Sequence, residues 1–194
     1  MRTKTPRLSE RVLDAAARLF GTKRFHEVRM DDIALEAEVS KGTLYRYFKD
    51  KEELYLALLA RASRNLVVQI KEAVARSDKP RTKLVAIVAT VIVYFDAQPH
   101  LFDLIQRAEV KHIAGAAFPW QEVRDAGIQL VLTVFQDGHD QGEFTIRDPY
   151  HAALMLLGGM RAVIRVGKRP RPRDLAQRLV DGFLHGATVG ESVV

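Results

Sequence analysis

The stretch VSKGTLYRYFKDKEEL, residues 39–54, gathers Lys41, Arg46, Lys49 and Lys51 beside Ser40, Thr43, Tyr45 and Tyr47. Nothing in it is arranged for bond-making chemistry. The chain has no cysteine nucleophile, no glycine-rich phosphate loop and no G-x-S-x-G turn. These side chains are instead donors for an extended anion. Ammonium and guanidinium groups can reach base edges and phosphates, and a tyrosine can pack its ring on protein while its hydroxyl meets a phosphate. Leu44 and Phe48, four residues apart, give the opposite side an apolar face. Read as a helix capped by Ser40 through the Thr43 N–H, the stretch turns Lys41, Thr43 and Arg46 outward toward base edges. Tyr45, Tyr47 and Lys51 then fall to the phosphates on either side. Gly42, in the first turn, has no side chain to hold that turn away from a DNA surface.

The elements around it read as helical almost throughout. A first helix is expected over residues 9–20, with Ser9 as N-cap and Val12, Leu13, Ala16, Leu19 and Phe20 on one stripe. A short second helix covers 30–37, with Asp31 and Asp32 in its first turn. The turn Glu38-Val39-Ser40 leads into the third, over 41–48. Two short helices, a tight turn and a basic second helix make a helix-turn-helix. Asp50 caps a fourth helix to about residue 76, with Glu53 completing a capping box.

Beyond Pro80 the character changes. LVAIVATVIVYF is apolar all round, as a helix buried on most sides would be. Further helices are expected over 99–113, 120–140, 149–166 and 174–189, with Asp148-Pro149 as a cap and first helical residue. GKRPRPR is a basic, proline-rich loop. The fold class is therefore all-α, with about nine helices. Residues 1–50 form a DNA-binding head, and 51–194 form a body that includes the connecting helix.

Composition fits this division. The 194 residues are 47% hydrophobic, enough for a sizeable core. The net charge is +6, and residues 1–51 carry 12 Lys or Arg against 8 Asp or Glu, so most of the excess lies at this end. That asymmetry points to an anionic partner. The absence of cysteine excludes disulfides and makes a reducing cytoplasm the expected location. No apolar segment of signal length follows the basic first residues. The longest apolar run is too short to span a bilayer, so no membrane partner is expected.

Residues 9–59 resemble the DNA-binding domain of the TetR family of bacterial transcriptional regulators. AARLF and DDIALEAEVSKGTLYRYFKDKEELYLALL carry the resemblance. It implies a dimeric all-helical protein whose head binds operator DNA and whose body binds a small-molecule effector. Three positions depart from the family's habit. Arg24 and Glu38 stand where glycine is usual, and Arg29 stands where a small hydroxyl residue caps the second helix. A left-handed Glu38 would cost on the order of 1 kcal/mol. Arg29 offers a phosphate a full charge in place of a hydroxyl.

Within the body, Tyr94, Phe102 and Trp120 supply aromatic surface, and Arg107 and Arg124 supply charge, for an effector pocket. The family also implies a dimer interface from the last two helices, here carrying Leu157, Gly158, Leu179, Gly182 and Phe183. His139, Asp140 and Glu143 cluster at a helix end, where a solvated turn explains them better than a metal. No cofactor, metal or catalysis is expected. The function read from the chain is a sequence-specific, nucleoid-associated repressor released from a palindromic operator by a small molecule. The competing reading is a helical protein–protein interaction module without operator binding.

Overall fold

A computed structural model of the chain describes residues 6–99, 101–102, 105 and 121–187. Arg107, Trp120 and most of the helix expected at 99–113 lie outside the described residues. Among these there are eight helices and no strand. They are α1 (Pro6–Thr22), α2 (Met30–Glu36), α3 (Lys41–Tyr47), α4 (Lys51–Val74), α5 (Pro80–Ala97), α6 (Gln121–Asp140), α7 (Pro149–Val166) and α8 (Leu175–Ala187). By proximity the chain forms two compact units. One holds Met1–Ser63 and Gln98–Trp120, and the other holds Arg64–Ala97 and Gln121–Val194. The division runs within α4.

In the first unit α1 packs on α2, and α2 on α3. Ser9, expected to cap α1, lies inside it, because the helix already starts at Pro6. A proline suits a first turn, where its missing N–H would have had no helical partner. Val12, Phe20, Val28, Ile33, Leu44, Phe48 and Leu54 form the buried interior of this unit. Phe25 stacks on Phe20 with centroids 5.6 Å apart, and the Tyr55 ring stands edge-on to both. Burial of each large apolar side chain contributes about 1.5–3 kcal/mol.

The helix ends follow local chemistry. Ser40 Oγ accepts from the Thr43 N–H at 3.1 Å, and Asp50 Oδ1 from the Glu53 N–H at 2.8 Å. Glu53 closes its half of the box on the Lys49 N–H, at 2.6 Å, instead of on that of Asp50. Such caps contribute about 0.5–2 kcal/mol each.

In the second unit α5 packs against α6, α7 and α8, and α6 against α7. Leu84, Ile87, Val88, Val91, Ile92, Tyr94 and Phe95 of α5 are buried, which is why its sequence is apolar nearly all round. Val93 is the exception: it faces solvent, so one edge of α5 is uncovered. Gly142, with φ +68°, ends the turn after α6, and Gly138 leaves the space that the Phe144 ring fills. Asp148 Oδ1 accepts from the His151 N–H and starts α7 at Pro149, as expected.

The basic loop after α7 is anchored. Arg171 is nearly buried and donates to Asp96 at 2.5 Å, while its Nη atoms cap the carbonyls of Val163 and Ile164. Arg169 pairs with the same aspartate at 2.9 Å. Two of the loop's charges are therefore internal fasteners. Arg81–Asp181 at 2.6 Å and Lys83–Asp137 at 2.7 Å bind α5 to α8 and to α6.

Candidate nucleic-acid interface

The helix-turn-helix occupies α2, the turn 37–40 and α3. Leu44 is fully buried, and Phe48, the C-cap residue of α3, is nearly so. These two anchors fix which face of α3 looks outward. Lys41, Gly42, Tyr45 and Arg46 are exposed, and Thr43 is half-buried. A Cβ placed on Gly42 would meet no protein atom within 4 Å, so its lack of a side chain keeps an outside surface clear. Tyr45 is 51% exposed, a large value for an aromatic residue. The Arg46 guanidinium lies 5.8 Å from the Tyr47 ring centroid, which leaves its N–H groups free to reach outward. Ser40 Oγ holds the Thr43 hydroxyl at 2.9 Å and so sets its direction.

Tyr47, Lys51 and Lys41 are also engaged within the head. Tyr47 is buried and belongs to the head's interior rather than its rim. Lys51 spends two N–H bonds internally, on the carbonyls of Phe25 at 2.8 Å and Val28 at 2.9 Å, and its ammonium sits 4.4 Å over the Phe25 ring. It ties the loop before α2 to the first turn of α4. Lys41 is exposed but engaged: its Nζ is 2.6 Å from Asp31 Oδ2. The Asp31 carboxylate, through the hydrogen bond first and its charge second, holds the Lys41 ammonium above the ordinary lysine range. Arg29 caps α2 in extended backbone, its N–H donating to Asp32 Oδ2 at 3.2 Å, while its exposed side chain makes no cap bond.

The unusual turn residues resolve individually. Glu38 has φ +52°, the only positive value at a non-glycine among the described residues. Arg11 offsets part of that strain by donating to the Ala37 carbonyl at 2.8 Å and to the Glu38 carboxylate at 3.3 Å. Arg24 needs no left-handed backbone, and its N–H donates to Glu27 at 2.8 Å. Elsewhere on α1, Arg18 pairs with Glu36, and Arg61 of α4 bridges Glu10 and Asp14. The sequence did not mark Arg11, Asp31 or Arg61 for these tasks. Their partners lie 10 to 51 residues away, and only the charge types hinted at pairing.

In the second unit, Leu157, Leu179 and Phe183 are half-buried, and Gly158 and Gly182 are exposed. Met155, 71% exposed, joins Val88, Gly159, Met160, Leu179 and Phe183 around an apolar groove of about 150 Å3. Tyr94 is buried, and Arg124 is exposed beside Asp125. Phe102, in the first unit, is buried. Among the described residues no group of three or more His, Cys, Asp or Glu could hold a metal ion, and no helix is long and apolar enough to cross a membrane.

Comparison with known proteins agrees with this geometry. The family model for bacterial regulatory proteins, tetR family, matches residues 12–58. The HTH-type transcriptional activator FasR of Mycolicibacterium smegmatis is 39% identical over 89 residues, which is 46% of this chain but only 39% of that protein. The HTH-type transcriptional repressor KstR of the same organism is 30% identical over 147 residues, 76% of this chain and 70% of its own length. The solved structure of a TetR-like transcriptional regulator from Rhodococcus sp. RHA1 superposes with a TM-score of 0.72 at 26% identity, covering 98% of this chain and 100% of the other. The all-helical fold, the helix-turn-helix and these similarities agree, and the chain belongs to the tetR family of bacterial regulatory proteins.

Proposed function

We propose that this chain is a ligand-responsive, sequence-specific DNA-binding regulator that acts as a repressor. In this reading α3 enters the major groove. Lys41, Thr43 and Arg46 meet base edges, Gly42 permits close approach, and Tyr45 and Arg29 donate to phosphates. Tyr47 and Lys51 support the helix from behind, with any phosphate contact coming from the Tyr47 hydroxyl and the remaining Lys51 N–H. The carrying observation is the division of α3 into a buried face, Leu44 and Phe48, and an exposed face that is rich in donors.

Two copies joined through α7 and α8, at Leu157, Gly158, Leu179, Gly182 and Phe183, would present two heads to a palindromic operator. The similarity to KstR, named a repressor, supports that sign of regulation. A small-molecule effector would be taken by the body, with Tyr94 and Arg124 as its proposed contacts in the second unit. Linkage then requires effector and operator to weaken each other's binding by the same factor, typically a coupling of about 1–3 kcal/mol.

Selection of bound duplexes from a random pool tests the reading. The expected product is an inverted repeat with half-sites about one helical turn apart or somewhat more. Recovery of no common motif would favour an interaction module in place of a DNA reader.

A further inference from the structure

The face of α3 turned toward DNA is not left open in the free protein. Asp31, in the first turn of α2, holds Lys41 in the first turn of α3 at 2.6 Å. Both side chains are more than half exposed, so packing does not force them together. An exposed ion pair adds little to the stability of a fold. Its position carries more weight than its strength: it puts a carboxylate on one of the few cations of the recognition helix.

We propose that Asp31 is a specificity-determining residue, which withholds the Lys41 ammonium from phosphates and releases its donors only to a suitable base edge. This inference rests on the DNA-binding reading above. A phosphate attracts a lysine equally in every sequence, so each free lysine on this face strengthens wrong sites as much as right ones. For Lys41 to reach a phosphate, that anion must come up against the Asp31 carboxylate, and the repulsion offsets much of what the contact gains. A guanine edge is different. Its O6 and N7 are adjacent acceptors, and an ammonium has three N–H bonds, so Lys41 can address the base while one N–H stays on Asp31. At neutral pH the Lys41 ammonium carries all three N–H bonds. Asp31 also repels any phosphate that drifts toward the first turn of α3.

The test uses the full chain and four proteins: wild type, Asp31→Asn, Lys41→Ala and the double variant. Each is titrated at several salt concentrations against the selected site and against a scrambled duplex of equal length and composition. Asp31→Asn keeps the side-chain shape and removes the charge. It should bind the scrambled duplex about 5–10-fold tighter, with a log–log salt slope steeper by about 0.9, as one more phosphate contact requires. Affinity for the selected site should change less than about 2-fold, so the specificity ratio falls severalfold. In the Lys41→Ala background the same substitution should leave the ratio unchanged. An unaltered ratio in Asp31→Asn overturns the inference. So does an equal fall of the ratio without Lys41, which would make Asp31 a direct reader of bases. A wild-type ratio near one overturns the DNA-binding reading itself, and this inference with it.

Discussion

Two helical faces among the described residues are exposed in part, and their chemistries differ. The outer face of α3 offers Lys41, Thr43, Tyr45 and Arg46. The outer face of α7 and α8 offers Met155, Leu179 and Phe183 around an apolar groove, with Leu157, Gly158 and Gly182 on the same two helices. The first is suited to a charged, hydrated polymer and would gain nothing from a second copy of itself, since like charges would meet. The second gains from an apolar partner, and the simplest one of matching shape is its own symmetry mate. An exposed face therefore reports the class of its partner by which cost it avoids: unpaired charge on one side, hydrated hydrocarbon on the other.

The contrast breaks most decisively at Gly182. Among the described residues a Cβ there meets no atom outside its own helix turn within 4 Å, so Gly182→Glu should leave the monomer fold intact. In a dimer interface the buried carboxylate would cost several kcal/mol. Monomers in sedimentation, with unchanged helical content and tight operator binding lost, are expected. An intact dimer would place the interface elsewhere.

Lys51 sharpens the comparison inside the head. Lys51→Ala removes two charged hydrogen bonds to carbonyls and a cation–ring contact, a loss of roughly 1.5–3 kcal/mol in stability for these partly buried groups. Thermal unfolding should shift accordingly. If the midpoint stays fixed while all duplexes weaken together and the salt slope drops by about one unit, Lys51 serves phosphates instead.

Arg46→Ala should affect a single base position, at a cost of roughly 1–3 kcal/mol there, with stability unchanged. Repeating the duplex selection checks this, and an identical motif would remove Arg46 from the readers. The smallest effect lies at the start of α7. The backbone N–H of His151, and then its ring, hold the Asp148 carboxyl below its ordinary value of 3.8. A depressed carboxyl stabilises the fold above that value, and the contribution disappears as pH falls through the lower folded value. Asp148→Asn should therefore flatten the acid side of the stability profile below about pH 4, as urea unfolding at a series of pH values would show.

Local chemistry made much of this legible. Ser40, Asp50, Asp148 and Pro149 sit where short-range rules put caps, because a cap needs only residues three or four apart. The left-handed backbone at Glu38 was legible too, once a glycine position was filled by a side chain. What escaped the sequence acts over long separations. Arg11 on the Glu38 turn, Lys51 on the Phe25 and Val28 carbonyls, and Arg171 on Asp96 each join residues that only the folded chain brings together. Charge type alone could not show which lysines face outward and which are fasteners. The burial of Tyr47 escaped for a related reason: Tyr45 and Tyr47 look alike in sequence, and helix rotation decides between them.

The length of α3 sets a limit of another kind. Seven residues make a rod of about 10 Å, which can lie along roughly three base pairs. Two copies joined as proposed would read roughly six, a pattern that recurs by chance about once in four thousand positions, against the millions of competing sites in a genome. The side chains of one helix pair therefore do not carry enough information to name a unique address. The remainder must be encoded in the spacing and relative orientation of the half-sites and in the deformability of the DNA between them. In that sense the distance between two recognition helices is itself a letter of the operator, and whatever alters it rewrites the word.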